Sequence, residues 1–333
     1  MKYLQHIAVV LLALTCVAAA SCKKDKDTTD KEYLNGTLAI SLPSYVKYGQ
    51  VFHINPTGVY RYDKTDTLLT YYWVNPFTGK TDTLRRDIAL KDGDPETVRK
   101  DFDFVIAKDT VGTFSISVSC AASGYYTKTA TAKFSIVRDG LQGGSLSGYD
   151  FLSGLSQASD SRDGNKYYYT QAGGRDWMIE NLAWEGSGIA YMENEAMSKV
   201  FGRYYSWEEA KTACPSGWRL PTDAEFVALA GGSDTGVAGT MIIDASFNGS
   251  KMWPFSANVT ISNSTRFSAI PAGYAVHDGT SPVFKNQTYA LFWTSDAEDD
   301  NEAYARYLIA DKPDLYVGAF GKNSMLATVR CVR

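Results

Sequence analysis

The most specific segment of this chain is Cys214-Pro215-Ser216-Gly217-Trp218-Arg219-Leu220-Pro221-Thr222-Asp223-Ala224-Glu225-Phe226. It begins with a cysteine followed by proline and glycine, which is typical of a turn. Thr222 and Glu225 have the spacing of a capping box, which predicts a short helix at Asp223–Leu229. Near the end of the chain, Val329-Arg330-Cys331-Val332 supplies another cysteine. The two segments together predict that the C-terminal part closes as one compact domain.

The composition bounds the classes of protein to which the chain can belong. It has 333 residues, of which 44% are hydrophobic and 21% are charged, and its formal net charge is −4. This length is enough for two domains of roughly 100–200 residues each. The mildly acidic balance gives no electrostatic footprint for nucleic acid. The 22 tyrosines favour a surface that makes contacts, because tyrosine combines a rigid apolar ring with a polar hydroxyl.

The N-terminal residues have the pattern of an export signal. Lys2 precedes an apolar stretch at residues 7–20, which is too short to span a bilayer comfortably. The stretch ends in Ala18-Ala19-Ala20-Ser21-Cys22, which resembles the lipobox of bacterial lipoproteins. We expect residues 1–21 to be a lipoprotein signal peptide and Cys22 to be lipidated. Cleavage after Ala20 without lipidation is the alternative.

The residues that follow Cys22 predict where the protein is located. Residues 22–35 are polar and lack apolar periodicity, so we expect a disordered tether. Similar charged tethers resemble the export signals of surface lipoproteins in the Bacteroidetes. The expectation is an outer-membrane lipoprotein that is exposed at the cell surface and contacts the membrane only through its lipid. A position on the periplasmic face is the alternative.

Five cysteines in an exported chain require an account of their pairing. Removing Cys16 with the leader and committing Cys22 to lipid leaves Cys120, Cys214 and Cys331. An odd number in an oxidising compartment allows one disulfide and one free thiol. Cys120 ends a predicted strand, where a buried thiol is expected.

Residues 36–138 read as an all-β unit. Polar and apolar residues alternate at positions 37–42 and 50–54, and residues 69–74 form a central strand with a buried tryptophan. Residues 113–120 and 127–137 read as a hairpin. About seven short strands over this length predict an immunoglobulin-like β-sandwich. The glycine- and serine-rich residues 139–148 then predict a linker that marks the boundary between two domains.

Residues 149–333 carry a series of motifs in a fixed order. Ser206 and Glu209 form a second capping box, which predicts a helix at Trp207–Ala213. The motifs are Asp163-Gly164-Asn165, Trp177-Met178-Ile179-Glu180-Asn181-Leu182, Tyr205-Ser206-Trp207-Glu208-Glu209-Ala210, the Cys214 segment, Phe267-Ser268-Ala269-Ile270-Pro271-Ala272-Gly273, Phe292-Trp293-Thr294-Ser295 and the Cys331 segment. In this order they resemble the Fibrobacter succinogenes major paralogous domain.

The resemblance carries expectations about fold and activity. It implies an α+β C-type lectin-like fold, shared with formylglycine-generating enzymes and with variable ligand-binding proteins. It also assigns Cys214 and Cys331 to a structural disulfide. A bridged cysteine is not a nucleophile, and His277 has no nucleophile elbow beside it. We therefore expect no catalysis, with a formylglycine-generating type of enzyme as the third hypothesis.

Two groups of residues are candidates for binding in the long loops of such a fold. Carboxylates in one flexible loop can ligate calcium, although a solvated acidic loop is the alternative; these are Asp296, Glu298, Asp299 and Asp300. No other cofactor is expected. Aromatic side chains can stack on sugar rings; the candidates are Trp253, Tyr274, Trp293, Tyr304 and Tyr307, with Tyr316 in the same stretch. For Trp253 and Trp293 the alternative is a place in the core.

The sequence therefore predicts a surface protein that binds or adheres to a glycan or a protein ligand through its C-terminal domain. A structural part of a surface assembly, such as the tip or anchor of a pilus, is the second hypothesis.

Overall fold

The structure, a computed structural model, describes residues 31–60, 67–89, 103–106, 110–278, 281–285 and 287–333. The predicted signal peptide, Cys22 and most of the predicted tether lie outside these residues. The described chain is rich in β-structure and forms several separate sheets. None of the helices in this part of the chain has the length and apolar content that crossing a membrane requires.

Within the described residues, the N-terminal part consists of strands. They are β1 (Glu32–Tyr33), β2 (Asn35–Ala39), β3 (Tyr45–Val46), β4 (Val51–His53), β5 (Thr57–Tyr60), β6 (Thr67–Val74), β7 (Thr81–Ala89), β8 (Asp103–Val105), β9 (Gly112–Ala121), β10 (Tyr125–Tyr126) and β11 (Lys128–Ile136). The largest sheet has the order β3-β11-β9-β6-β7. The predicted hairpin is confirmed, because β9 and β11 pair antiparallel from Cys120↔Lys128 to Gly112↔Ile136.

One apolar core holds this part together. Trp73 on β6 is buried and its ring meets Phe104 edge-on at 5.2 Å, as alternation along the central strand predicts. Cys120 is fully buried in the same core and is not part of a disulfide.

Residues 139–148, predicted to be a glycine- and serine-rich linker, form ordered structure. Gly140–Gly143 is a short helix, and Leu146 pairs with Phe247 in a small sheet. The helix packs so closely on the backbone of Lys199 that a Cβ at Gly140 would collide with its carbonyl oxygen. Glycine is needed here for close approach rather than for flexibility.

The C-terminal part combines short helices and strands. They are α1 (Gly140–Gly143), β12 (Leu146–Ser147), β13 (Ser156–Ser159), β14 (Lys166–Ala172), β15 (Arg175–Met178), β16 (Ile189–Ala190), α2 (Ser198–Phe201), β17 (Arg203–Tyr204), α3 (Trp207–Ala213), α4 (Asp223–Leu229), α5 (Ala238–Met241), β18 (Ser246–Phe247), β19 (Ser250–Lys251), β20 (Tyr274–Asp278), β21 (Ser281–Lys285), β22 (Tyr289–Ala297), β23 (Glu302–Ile309), β24 (Tyr316–Gly321) and β25 (Met325–Leu326).

Both predicted helices are confirmed at the predicted residues. In α4, Oγ1 of Thr222 accepts from the Glu225 N–H at 3.2 Å, and Oε2 of Glu225 accepts from the Thr222 N–H at 2.9 Å. Ser206 and Glu209 cap α3 in the same reciprocal way. Each box satisfies donors that the first helical turn leaves without an intrahelical partner.

The C-terminal segment closes the fold across three of the sequence motifs. Cys331 is bonded to Cys214. Val332 bridges to both Trp177 and Arg219, so the Cys214 segment and the Trp177 segment lie on either side of the chain end. Arg330 between them is fully buried. The motifs that are far apart in sequence therefore meet in one place.

Candidate ligand-binding site

Three strands of the C-terminal part present tyrosines on one face. The sheet has the order β22-β23-β24, and Tyr307 on β23 stands opposite Leu291 on β22 and Tyr316 on β24. Successive side chains in a strand point to opposite faces. Tyr289, two residues before Leu291, therefore shares the face of Tyr307 and Tyr316.

The aromatic rings on this face are stacked in order. The ring centroids of Tyr307 and Tyr316 lie 5.4 Å apart with an interplanar angle of 18°, and those of Tyr289 and Tyr307 lie 6.2 Å apart at 28°. Tyr274 meets Tyr289 edge-on at 6.3 Å, and Phe320 meets Tyr307 edge-on at 6.2 Å. All five side chains are half-buried. We call them the tyrosine row.

The packing beneath the row holds its rings in place. Gly318 lies between Tyr316 and Phe320 on the same strand face, and a Cβ there would sit 3.0 Å from Phe320 Cε2 and 3.5 Å from Tyr307 Cε1. Ala303 and Ala305 on β23 are also small and fully buried. Small residues under large rings let the rings lie close to the sheet and to one another.

The electrostatics of the row keep its central hydroxyl neutral. Burial raises the pKa of Tyr307, and the neighbouring phenols of Tyr289 and Tyr316 raise that pKa further. A neutral phenol can both donate and accept a hydrogen bond. The row therefore presents ring edges and hydroxyl groups from adjacent strands to a ligand.

The two candidate tryptophans lie in the core, which corrects their assignment to the ligand face. Trp293 is fully buried, and its Nε1 donates to the carbonyl oxygen of Tyr205 at 2.8 Å. Trp253 is also buried, and its Nε1 donates to the carbonyl oxygen of Ala269 at 3.1 Å. Both indoles have thus satisfied their only polar group within the protein.

Tyr304 is also separated from the tyrosine row. It lies three residues before Tyr307 on the same strand, and this odd spacing points the two side chains to opposite faces of the sheet. Arg306, two residues after Tyr304, shares the face of Tyr304. On that opposite face, Arg306 pairs with Asp223 and with Asp234. Of the five aromatic candidates, the structure brings together Tyr274 and Tyr307.

The acidic loop does not assemble the expected calcium site. Asp296 Oδ2 accepts from the Asp223 N–H at 2.6 Å, and Asp299 Oδ1 accepts from the N–H groups of Asn301 and Glu302. The same two backbone donors lower the pKa of Asp299. Across the residues that the structure describes, no three His, Cys, Asp or Glu side chains come together as a metal would require. Asp296 and Asp299 thus act as acceptors for backbone N–H groups.

The Nζ of Lys322 fixes the backbone of this acidic loop. It donates to the carbonyl oxygen of Asp299 at 2.6 Å and to that of Asp300 at 3.2 Å. Glu298 contributes its backbone, because its N–H donates to the carbonyl oxygen of Glu302.

Sequence reasoning missed Tyr289 and Phe320. Tyr289 begins β22 and Phe320 lies near the end of β24, and each meets Tyr307 only through the pairing of neighbouring strands. The period-two alternation along residues 302–309 could have shown that Tyr304 and Tyr307 point to opposite faces of the sheet. The register of the two partner strands was the missing information.

The fold and the disulfide define the C-terminal part as a β-rich domain with two capped helices that is closed by its own chain end. Residues 170–333 match the family model described as the Fibrobacter succinogenes major domain. Residues 170–333 of this chain are therefore a Fibrobacter succinogenes major domain. The match starts after the Asp163-Gly164-Asn165 motif.

Other comparisons add little. No curated protein matches the chain. Among solved structures, the superoxide reductase (neelaredoxin) of Ignicoccus hospitalis is 14% identical, with a TM-score of 0.23, and the alignment covers 31% of this chain and 83% of that one. A variant of the same protein is 15% identical, with a TM-score of 0.23 and coverages of 31% and 82%. Such TM-scores support no inference about fold or activity.

Proposed function

We propose that this protein is an exported lipoprotein of the outer membrane surface whose C-terminal domain binds a glycan or a protein ligand without catalysis. The observation that carries the proposal is the tyrosine row. Tyrosine is enriched at binding surfaces because its ring is large and rigid, and its hydroxyl adapts to donors and acceptors alike. In the row, stacking has already restricted the rotamers, so binding costs less side-chain entropy.

The chemistry of the row suits ligands that carry hydroxyl or peptide groups. Neutral phenols can donate to a carbonyl or hydroxyl oxygen and accept from an N–H or O–H group. The two ends of the row, at Tyr274 and Phe320, add apolar ring surface. No charged side chain belongs to the row, so ionic attraction is not its means of recognition.

The rest of the chain fits the role of a stalk and an anchor in this proposal. An immunoglobulin-like arrangement of the N-terminal strands is supported by the antiparallel pairing of β11, β9, β6 and β7 and by the buried Trp73. A C-type lectin-like arrangement of the C-terminal part is supported by its two capped helices and its terminal disulfide. The Ala18–Cys22 pattern supports lipidation at Cys22.

The disulfide counts against the enzyme hypothesis. Cys214 and Cys331 are bonded to each other, and a formylglycine-generating type of chemistry needs reactive thiols. Cys120, which is outside a disulfide, is buried in the N-terminal core. The hypothesis of a pilus component stays a prediction from the sequence.

Arrays of glycans and of bacterial and host surface proteins test the proposed function. The mature chain is applied once with calcium and once with a chelator. We expect saturable binding to a restricted set of ligands. The profile should be the same in both conditions, because Asp296 and Asp299 of the acidic loop accept hydrogen bonds from backbone N–H groups. Absence of binding on both arrays in both conditions would reject the proposal.

A further inference from the structure

A cavity of about 190 Å³ lies in the C-terminal part and shares no residue with the tyrosine row. Its lining includes residues of helix α1, which lies in the predicted Gly/Ser linker. The lining also includes Glu180, from the Trp177 motif, and the buried Arg330. A volume below that of typical drug-binding pockets restricts the cavity to small molecules.

Glu180 directs an unused hydrogen-bond acceptor into this space. Its Oε2 accepts from the Tyr168 N–H at 3.0 Å. Its Oε1 receives no hydrogen bond from any residue that the structure describes. The side chain is half-buried, and burial raises its pKa to about 7, although Arg330 and the Tyr168 N–H oppose this. A half-buried carboxylate oxygen without a donor is costly unless water or a ligand supplies one.

The nearby Arg330 does not supply that donor, because its hydrogen bonds go to other groups. Its guanidinium donates to Asn181 Oδ1 at 2.6 Å and to the carbonyl oxygens of Met178 and Phe267 at 3.2 and 2.7 Å. A further bond goes to the carbonyl oxygen of Ser268. Arg330 therefore balances the charge of Glu180 without bonding to it.

Tyr149 adds a second polar group to the wall. Its side chain is buried except where it meets the cavity, and its hydroxyl has no hydrogen-bonding partner among the described residues. Burial raises the pKa of Tyr149, so this hydroxyl stays protonated. The cavity thus offers one acceptor at Glu180 and one donor-acceptor at Tyr149.

The charges around the cavity disfavour an ionic ligand. Lys199 and Asp139 form an ion pair at 3.4 Å on the wall, and Asp139 also binds Lys47 at 2.7 Å. Lys166 lies on the wall as well. A cationic ligand would face Arg330 and two lysines, whereas an anionic ligand would face the unpartnered oxygen of Glu180.

We propose that this cavity is a second binding site, for a small neutral ligand with adjacent hydroxyl groups, such as a polyol or a single sugar residue. One hydroxyl of the ligand donates to Glu180 Oε1, and a neighbouring one exchanges a hydrogen bond with the Tyr149 hydroxyl. Helix α1 covers the bound ligand.

Ligand-detected NMR and calorimetry on the full mature chain test this site. The probes are glycerol, myo-inositol and the methyl glycosides of glucose, galactose and mannose, with acetate and methylammonium as charged probes. The chain is used as wild type, as Tyr149→Phe and as Glu180→Gln. Tyr169→Phe is the matched control, because Tyr169 packs on Trp218 away from the cavity.

We expect at least one hydroxylated probe to bind. Tyr149→Phe and Glu180→Gln should each weaken binding roughly tenfold or more, since each removes a hydrogen bond within a partly buried site. Tyr169→Phe should bind as wild type. Tyr149→Phe keeps the ring, so it tests the site even if Glu180→Gln fails to fold.

Three results would overturn the proposal: no hydroxylated probe binds, a charged probe binds better, or Tyr149→Phe keeps the wild-type affinity. The first would mean that the cavity holds water only. A Tyr307→Ala chain separates the two sites, because it should lose binding at the tyrosine row and keep binding in the cavity.

Discussion

Cys214 and Cys331 are joined by a disulfide, with 5.8 Å between their Cα atoms, although 117 positions separate them in sequence. Both sulfur atoms lie in the apolar cluster that also contains Trp293 and Leu291 beneath the tyrosine row. The bond therefore ties the chain end to the strands that carry the row.

Removal of this bond should destabilise the C-terminal part strongly. A loop of this length makes the disulfide worth about 4–5 kcal/mol in the chain-entropy account. We expect the double variant Cys214→Ser, Cys331→Ser to lose about this much free energy of unfolding, measured by urea denaturation. Cys120→Ala is the control, and it should keep the sensitivity of the wild type to a reductant. An unfolding midpoint that a reductant leaves unchanged would contradict the bond.

Glu225 should make the stability of the domain depend on pH. It binds Arg219 at 2.6 Å and Arg175 at 2.9 Å, and the hydrogen bonds from Arg219 do most to lower its pKa, from 4.5 to about 2. A lowered pKa means that the carboxylate stabilises the fold above pH 4.5, and that this contribution is lost as the pH falls toward 2.

The variant Glu225→Gln measures this contribution. It should be less stable than wild type by about 2 kcal/mol at neutral pH, and the difference should shrink steadily below pH 4.5. Urea denaturation across this pH range gives the difference directly. Glu208→Gln on the exposed side of α3 is the control, with little effect expected at any pH. A difference between Glu225→Gln and wild type that stays constant with pH would refute the assignment.

Trp293 should matter for stability and not for binding. It is fully buried and hydrogen-bonded to the Tyr205 carbonyl oxygen. Trp293→Phe removes this hydrogen bond, although the Ala327 N–H still donates to the same carbonyl oxygen, and it leaves a void. We therefore expect a loss of about 1–3 kcal/mol in the free energy of unfolding. The affinity of the folded variant for an array ligand should equal that of wild type. Weaker binding at unchanged stability would return Trp293 to the ligand face.

The parts of the fold that depend on neighbours in sequence could be predicted. The two helices begin and end at the predicted residues, because each capping box acts within three residues of the chain. The hairpin of β9 and β11 follows from local alternation in the same way. The position of Cys331 beside Cys214 could be expected only from the family resemblance.

The parts that depend on distant contacts could not be predicted. Residues 139–148 have the composition of a linker, and their order comes from packing against Lys199. Trp293 and Tyr307 lie on the same face of the sheet, because Tyr307 stands opposite Leu291 and Trp293 follows Leu291 by two residues. Tertiary packing, which alternation does not reveal, buries Trp293 fully and leaves Tyr307 half-buried. Glu180 Oε1 receives no hydrogen bond from Arg330, because Arg330 donates to two segments, at Met178 and Asn181 and at Phe267 and Ser268.

The affinity of a Tyr307→Ala chain for a ligand found on the arrays tests the central claim most directly. Tyr307 is the middle ring of the row, and truncation at the centre of an interface typically costs about 2 kcal/mol or more, or roughly thirtyfold in affinity. Tyr304→Ala, on the opposite face of the same strand, is the matched control. We expect Tyr304→Ala to bind with the affinity of wild type, and the folded Tyr307→Ala chain to bind at least thirtyfold more weakly. Equal binding by the two variants would contradict it.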